Sequence, residues 1–125
     1  MASNKKGVNW DAVVAEVVEL MEANLEEPLT PVEMARLLGV PYESLLREFR
    51  KRYDTTMVKH YVYIRLTEAE VLLRETDLLI KTVAQYCGYN NSSGTMHFAG
   101  AFKRRFGYSP IKYRGMYVQG QKVCN

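Results

Sequence analysis

Two parts of this sequence repeat one another at matched spacing, and that duplication limits the possible fold more than any other feature. Ala35-x-x-x-Gly39 returns as Ala84-x-x-x-Gly88, and Leu45-x-x-x-Phe49-Arg50-Lys51-Arg52-Tyr53 returns as Phe98-x-x-x-Phe102-Lys103-Arg104-Arg105-Phe106. Asp54-Thr55-Thr56-Met57-Val58-Lys59-His60 is answered by Gly107-Tyr108-Ser109-Pro110-Ile111-Lys112-Tyr113, and the second copy carries four extra residues in its turn. Each copy reads as a short helix, a turn containing Gly and a longer helix, the form of a helix-turn-helix. A pair of generic helical hairpins is the plainer reading; the bases on both second helices weigh against it.

The stretches between follow helical periodicity, and no alternating strand pattern competes. Trp10, Val13, Val14, Val17, Val18, Met21 and Leu25 recur at spacings of three and four, which predicts an amphipathic helix from about Asn9 to Leu25. Thr30-Pro31-Val32-Glu33 is a capping box with Pro at the first helical position, so a second helix runs to Leu38 and stops at Gly39. Pro41 opens a third, through Leu45, Phe49 and Tyr53. The run Met57 to Glu75 has neither Gly nor Pro and is the longest helix. A short helix from Ile80 to Cys87 follows, then the turn cluster Asn90-Asn91-Ser92-Ser93-Gly94, a helix from Thr95 to Phe106, and a last short helix capped by Ser109-Pro110. The tail from Val118 carries no pattern. The fold class expected is all-α, with the first helix-turn-helix at about 31–53, a linker helix at about 57–75 and the second at about 80–106. These lie in a domain of about 8–115, followed by a tail, 116–125.

A chain of 125 residues with 47% hydrophobic content has enough apolar side chain for one domain with a single core. There is no apolar run of membrane-spanning length and no apolar block among the first ten residues, so a cytoplasmic, nucleoid-associated location is expected by default. Cys87 and Cys124 form no Cys-x-x-Cys pair and have no clustered His partners, which supports neither zinc nor disulfides; Cys87 is expected to be buried and Cys124 to lie in the tail. No nucleophile with a base, paired-carboxylate site or metal cluster converges, so no catalysis, metal or cofactor is expected. Charge is segregated: seven acids and no base lie between Gly7 and Ala35, and seven bases and no acid between Leu78 and Asn125. A basic C-terminal half points to a polyanionic partner, unless those bases only solvate a surface.

Helical rotation of about 100° per residue decides which side chains face a partner. With Leu45 and Phe49 inward, Glu43, Arg47, Arg50 and Lys51 face outward and Leu46 lies on the flank. With Phe98 and Phe102 inward, Ser93, Met96, Gly100, Lys103 and Arg104 face outward, flanked by His97 and Ala99. A major groove about 12 Å wide admits such a helix, and Arg or Lys there reaches guanine edges or phosphates. The 19-residue linker helix spans roughly 28 Å at about 1.5 Å per residue, against a major-groove repeat of about 34 Å. One monomer reading two successive grooves of double-stranded DNA bent toward it is the resulting expectation.

These residues resemble the AraC/XylS family of bacterial transcription regulators over Val13 to Arg114. The most specific match is Gly88-Tyr89 followed by His97-Phe98-x-x-Ala101-Phe102-Lys103-Arg104-Arg105-Phe106-Gly107-Tyr108-Ser109-Pro110-x-x-Tyr113-Arg114, and Arg65-Leu66-x-x-Ala69-x-x-Leu72-Leu73 matches the family's linker helix. The resemblance implies a seven-helix domain with recognition helices at Pro41 to Tyr53 and Ser93 to Phe106, and activation at promoter DNA, commonly through RNA polymerase. His60 stands where the family usually has Tyr and reads as core. The chain departs from the family in carrying Glu43 and Leu46 on the first recognition helix, Gly100 in place of the usual Arg on the second, and a longer second turn.

Arg47 is the leading base reader, with phosphate contact or solvation as the other reading. Glu43 either accepts from cytosine N4 or faces solvent as a repulsive acid. Met96 and Leu46 either touch thymine methyls or are apolar flanks, and His97 is a flanking or packed side chain. Gly100 permits either close internal packing or close approach of DNA. Lys103, Arg104 and the amides near Ser92 and Ser93 are expected to grip backbone, with Asn91, Lys112 and Arg114 as further phosphate candidates. The competing function is a helix-turn-helix scaffold that has lost groove reading and acts as a protein-binding adaptor or antagonist, motivated by Gly100, Ala99 and the acidic first helix.

Overall fold

Local capping chemistry sets most of the element boundaries in the computed structural model, which describes residues 7–118 and 121–122. Helix α1 (Trp10–Ala23) starts where the Asn9 side chain accepts from the Ala12 amide at 3.1 Å. Helix α2 (Pro31–Leu38) has the full capping box: Thr30 Oγ1 accepts from the Glu33 amide at 3.1 Å, and the Thr30 amide donates to Glu33 Oε1 at 2.8 Å. Helices α3 (Tyr42–Tyr53) and α4 (Met57–Glu75) follow, and Thr56 Oγ1 accepts from the Lys59 amide at 3.1 Å ahead of the latter. Helices α5 (Ile80–Tyr86), α6 (Gly94–Phe106) and α7 (Pro110–Gly115) complete the seven among the described residues. The fold is all-α. Among the described residues its one departure is a two-residue antiparallel ladder, Tyr117 opposite Lys122 and Val118 opposite Gln121, at the start of the tail. Two-residue strands are too short to leave a sequence pattern. Cys124 lies outside the described residues.

The chain divides into two units between Ile64 and Arg65, inside α4, which therefore contributes its first half to one unit and its second half to the other. In the first, α1 packs on α2 and α3 around Val14, Val17, Met21, Met34, Leu45, Phe49, Met57 and Tyr61. The Tyr61 hydroxyl donates to the Asn24 carbonyl at 2.6 Å and accepts from the Leu29 amide at 3.1 Å, which fastens the segment between α1 and α2. In the second, α5 and α7 pack on α6, and Leu66, Ala69, Leu73, Val83, Ala84, Cys87, Phe98, Phe102 and Tyr113 are buried. Composition implied one core; the buried side chains fall in two, because composition measures the amount of apolar side chain and not how a long helix partitions it.

The duplication is structural. Ala35 and Ala84, Leu45 and Phe98, and Phe49 and Phe102 are each buried at matching places. Asp54 has φ 58 at the end of α3, where the second copy has Gly107 at φ 89 after α6. A left-handed residue closes both helices, and Asp tolerates that conformation at some cost that Gly avoids.

Candidate nucleic-acid interface

In the first unit α3 is fixed by its inner face, with Leu45 and Phe49 fully buried and the Phe49 and Tyr53 rings stacked at 4.7 Å. The opposite face carries Glu43, Arg47, Arg50 and Lys51, all exposed, while Leu46 is half-buried against the core. An open cleft of about 580 Å³ is lined by Tyr42, Glu43, Leu46, Arg47 and Arg50, together with Pro31 and Thr56, Met57 and Val58. Four of the five sequence-predicted residues of this helix thus share one concave surface; Lys51 is not part of its lining. Tyr42, exposed in the first turn of α3, also lines this cleft and was not among the residues the sequence singled out, although an aromatic ring beside Glu43 was a usable signal.

Glu48 was also missed. It is 8% exposed, forms an ion pair with Arg52, and stands 3.5 Å from Lys51 Nζ and 3.9 Å from Arg47 Nε. Arg52 in turn meets Asp11 of α1 at 2.7 Å. The hydrogen bond from Arg52 holds the Glu48 carboxyl below the usual carboxylate range, against the opposing effect of burial. One acid therefore sits behind three bases and offsets part of their field. The spacing of four between Glu48 and Arg52, on the same side as Leu45, was the signal that marked them as an inward pair.

His60, expected in the core, is half-buried among the Tyr53, Phe49 and Tyr63 rings at 5.0, 5.6 and 5.9 Å. Burial lowers its pKa, against the charge of Glu22, which acts in the other direction. Cys87 is buried as expected, and desolvation pushes its thiol up to about 12, so it stays protonated.

In the second unit Phe98 and Phe102 anchor α6, and Met96, His97, Lys103 and Arg104 are exposed. No carboxylate pairs with Lys103 or Arg104 among the described residues. Ser93 is the N-cap, half-buried, and its side chain makes no capping hydrogen bond. Arg105 turns aside, its guanidinium 4.6 Å over the Phe106 ring and 3.5 Å from Thr67 Oγ1. Arg65 holds the preceding turn by donating to the Cys87 carbonyl at 2.8 Å while lying 4.6 Å over the Tyr89 ring.

Glycines on α6 separate into two kinds. A Cβ at Gly94 would lie 2.2 Å from the Tyr89 carbonyl oxygen, so the fold requires Gly there. A Cβ at Gly100 would meet only Arg104 Nη1, at 3.6 Å, an ordinary contact. Internal packing thus gives no reason for Gly100. Among the weaker candidates, Asn91 and Lys112 are exposed, but Arg114 is otherwise engaged: its Nε donates to the Leu73 carbonyl at 3.1 Å and its Nη1 to the Leu78 carbonyl at 2.6 Å. Its assignment to phosphate is corrected, because both groups close the end of α4.

Residues 34–116 match the model of a helix-turn-helix domain family. The transcriptional regulator GbdR of Pseudomonas aeruginosa is 37% identical over 86% of this chain and 29% of its own length, and GlxA of Rhizobium meliloti is 38% identical over 90% and 34%. The chain thus spans about a third of these relatives. An AraC-type regulator from Chromobacterium violaceum superposes with TM-score 0.79 and 32% identity, covering 87% of this chain and 95% of the other. The DNA-binding domain of AdpA, solved in complex with a target DNA, superposes with TM-score 0.74 and 26% identity over 82% and 89%.

Proposed function

Because the chain belongs to the AraC-type helix-turn-helix family of transcription regulators, we propose that it binds double-stranded promoter DNA sequence-specifically, with α3 and α6 in successive major grooves. The observation that carries this reading is the shared arrangement of the two helices. Each buries its aromatic or aliphatic side in its own unit and turns bases outward, Arg47, Arg50 and Lys51 on α3 and Lys103 and Arg104 on α6. The AdpA domain, similar in fold and sequence, is bound to its target DNA, which supports the same partner here.

In this reading Arg47 and Leu46 reach base edges and Arg50 and Lys51 the backbone, while α6 holds phosphate through Lys103 and Arg104. Lys112 and Asn91 lie beside that grip. One chain suffices for both grooves, and activation through contact with RNA polymerase completes the proposal. Footprinting on sites selected from randomised DNA tests it, with two protected half-sites about one helical turn apart as the expected result. Affinity should fall roughly 10³-fold or more between about 50 and 200 mM salt if about six phosphates are neutralised. Salt-insensitive binding, or a single half-length footprint on straight DNA, would refute the reading and favour a protein-binding scaffold.

A further inference from the structure

The outward face of α6 has an unusual middle. Met96 is 69% exposed, which leaves its thioether in water on the outward face. One helical turn on, Gly100 leaves bare backbone, although an alanine Cβ would fit there and Gly in a helix interior costs about 1 kcal/mol relative to Ala. Ala99 adds only a methyl on the flank, and the next outward residues are Lys103 and Arg104, with no carboxylate against them among the described residues. Residues 96, 100 and 103 share one helical face. That face therefore presents a shallow recess where Gly100 lacks a side chain, with Met96 one turn before it and the Arg104 guanidinium at its edge, 3.6 Å from where a Cβ would lie.

The major groove offers one apolar knob of matching size, the C5-methyl group of a pyrimidine. Resting on the DNA-binding reading above, we propose that α6 reads one base pair through this recess, taking the thymine methyl against Met96 and Gly100 while Lys103 and Arg104 hold the flanking phosphates. The second unit is then not merely a backbone grip. It contributes a single, methyl-dependent preference, with no hydrogen bond to the base from a side chain at position 100.

The test uses the full chain and its selected site. Each thymine in the half-site protected by α6 is replaced in turn by uracil, which removes only the methyl. At one position affinity should fall about fourfold, the worth of one buried methyl group. In Met96→Ser that thymine-to-uracil ratio should collapse toward one. Gly100→Ala, which fits the helix, should keep the fold and raise the melting temperature while weakening binding to the thymine site more than to the uracil site. Cytosine and 5-methylcytosine at the same position separate the two natural carriers of this methyl, and thymine should bind tightest. Tighter binding of 5-methylcytosine than of thymine would overturn the assignment to thymine. Uracil tolerated at every position, with both half-sites still protected, would overturn the recess and leave DNA binding standing; loss of the second footprint would instead remove the reading beneath it.

Discussion

The two units share a plan and differ in charge. Up to Ile64 the chain carries ten acids against eight bases, and from Arg65 it carries four against nine. In the first, acids engage the bases of α3: Glu48 draws in Arg52 and stands near Lys51 and Arg47, and the exposed Asp11 takes the other side of Arg52. In the second, Glu70 pairs with Arg74 and accepts from the Tyr113 hydroxyl, leaving α6 with no acid of its own. The lesson is that a duplicated scaffold fixes where a cation points, while the acids behind it decide how strongly the cation is felt outside. A damped face suits discrimination among bases and an undamped one suits adhesion to phosphate.

Core truncation gives the largest expected effect and asks whether the two units are separable. Phe49→Ala should cost about 3 to 5 kcal/mol, and amide exchange should show the loss in the unit ending at Ile64. Phe102→Ala should do the same to the other. Equal loss of protection throughout both units from either change would break the division. Next in size, Arg47→Ala should weaken specific binding by about 1 to 3 kcal/mol and relax preference within one half-site. Unchanged discrimination between target and random DNA would count against base reading by Arg47. Lys103→Ala should weaken binding to all sequences alike and lower the salt slope by about 1; a loss confined to one base position would reverse its role.

Acid should weaken the first unit before the second, and this is the smallest effect. Burial lowers the pKa of His60, so the fold holds it neutral. Its contribution is fully present above the ordinary histidine value of about 6.5 and is lost as pH falls through the lowered folded value. The second unit begins to weaken only lower, in the carboxylate range, where Glu70 is held down by its hydrogen bond from Arg74 and Glu48 follows the same rule in the first unit. Unfolding followed between pH 7 and 5 should show a slope that His60→Tyr flattens. An unaltered slope in that variant would place the titrating group elsewhere.

Helix limits were legible because local chemistry writes them. Thr30-Pro31 and Glu33 set the start of α2 where expected, and the unbroken run from Met57 to Glu75 gave α4 its observed bounds. At α6 the expected start shifts by one residue, to Gly94, since the Ser-rich turn offers several capping positions and the Ser93 side chain uses none. Outward placement of Glu43, Arg47, Arg50 and Lys51 followed from the rotation of the helix. What eluded the sequence were partnerships. Glu48 was hidden by the habit of assigning acids to water, and Arg114 by partners 36 and 41 positions away. Gly100 was ambiguous until the space around it was known, because sequence states that a side chain is missing and not what it would have touched.

The engagement of Arg114 sets a practical boundary. Since its guanidinium ties off the carbonyls at Leu73 and Leu78, the six-residue α7 acts as a clasp on a helix that ended some forty positions earlier. Trimming the chain at Gly107, where the repeat's last long helix finishes, would leave that exit from α4 unlaced and expose Phe102 along the side covered by Tyr113. Fusion partners or truncation points therefore belong after Tyr117, beyond the clasp, rather than at the visible end of the second helix-turn-helix.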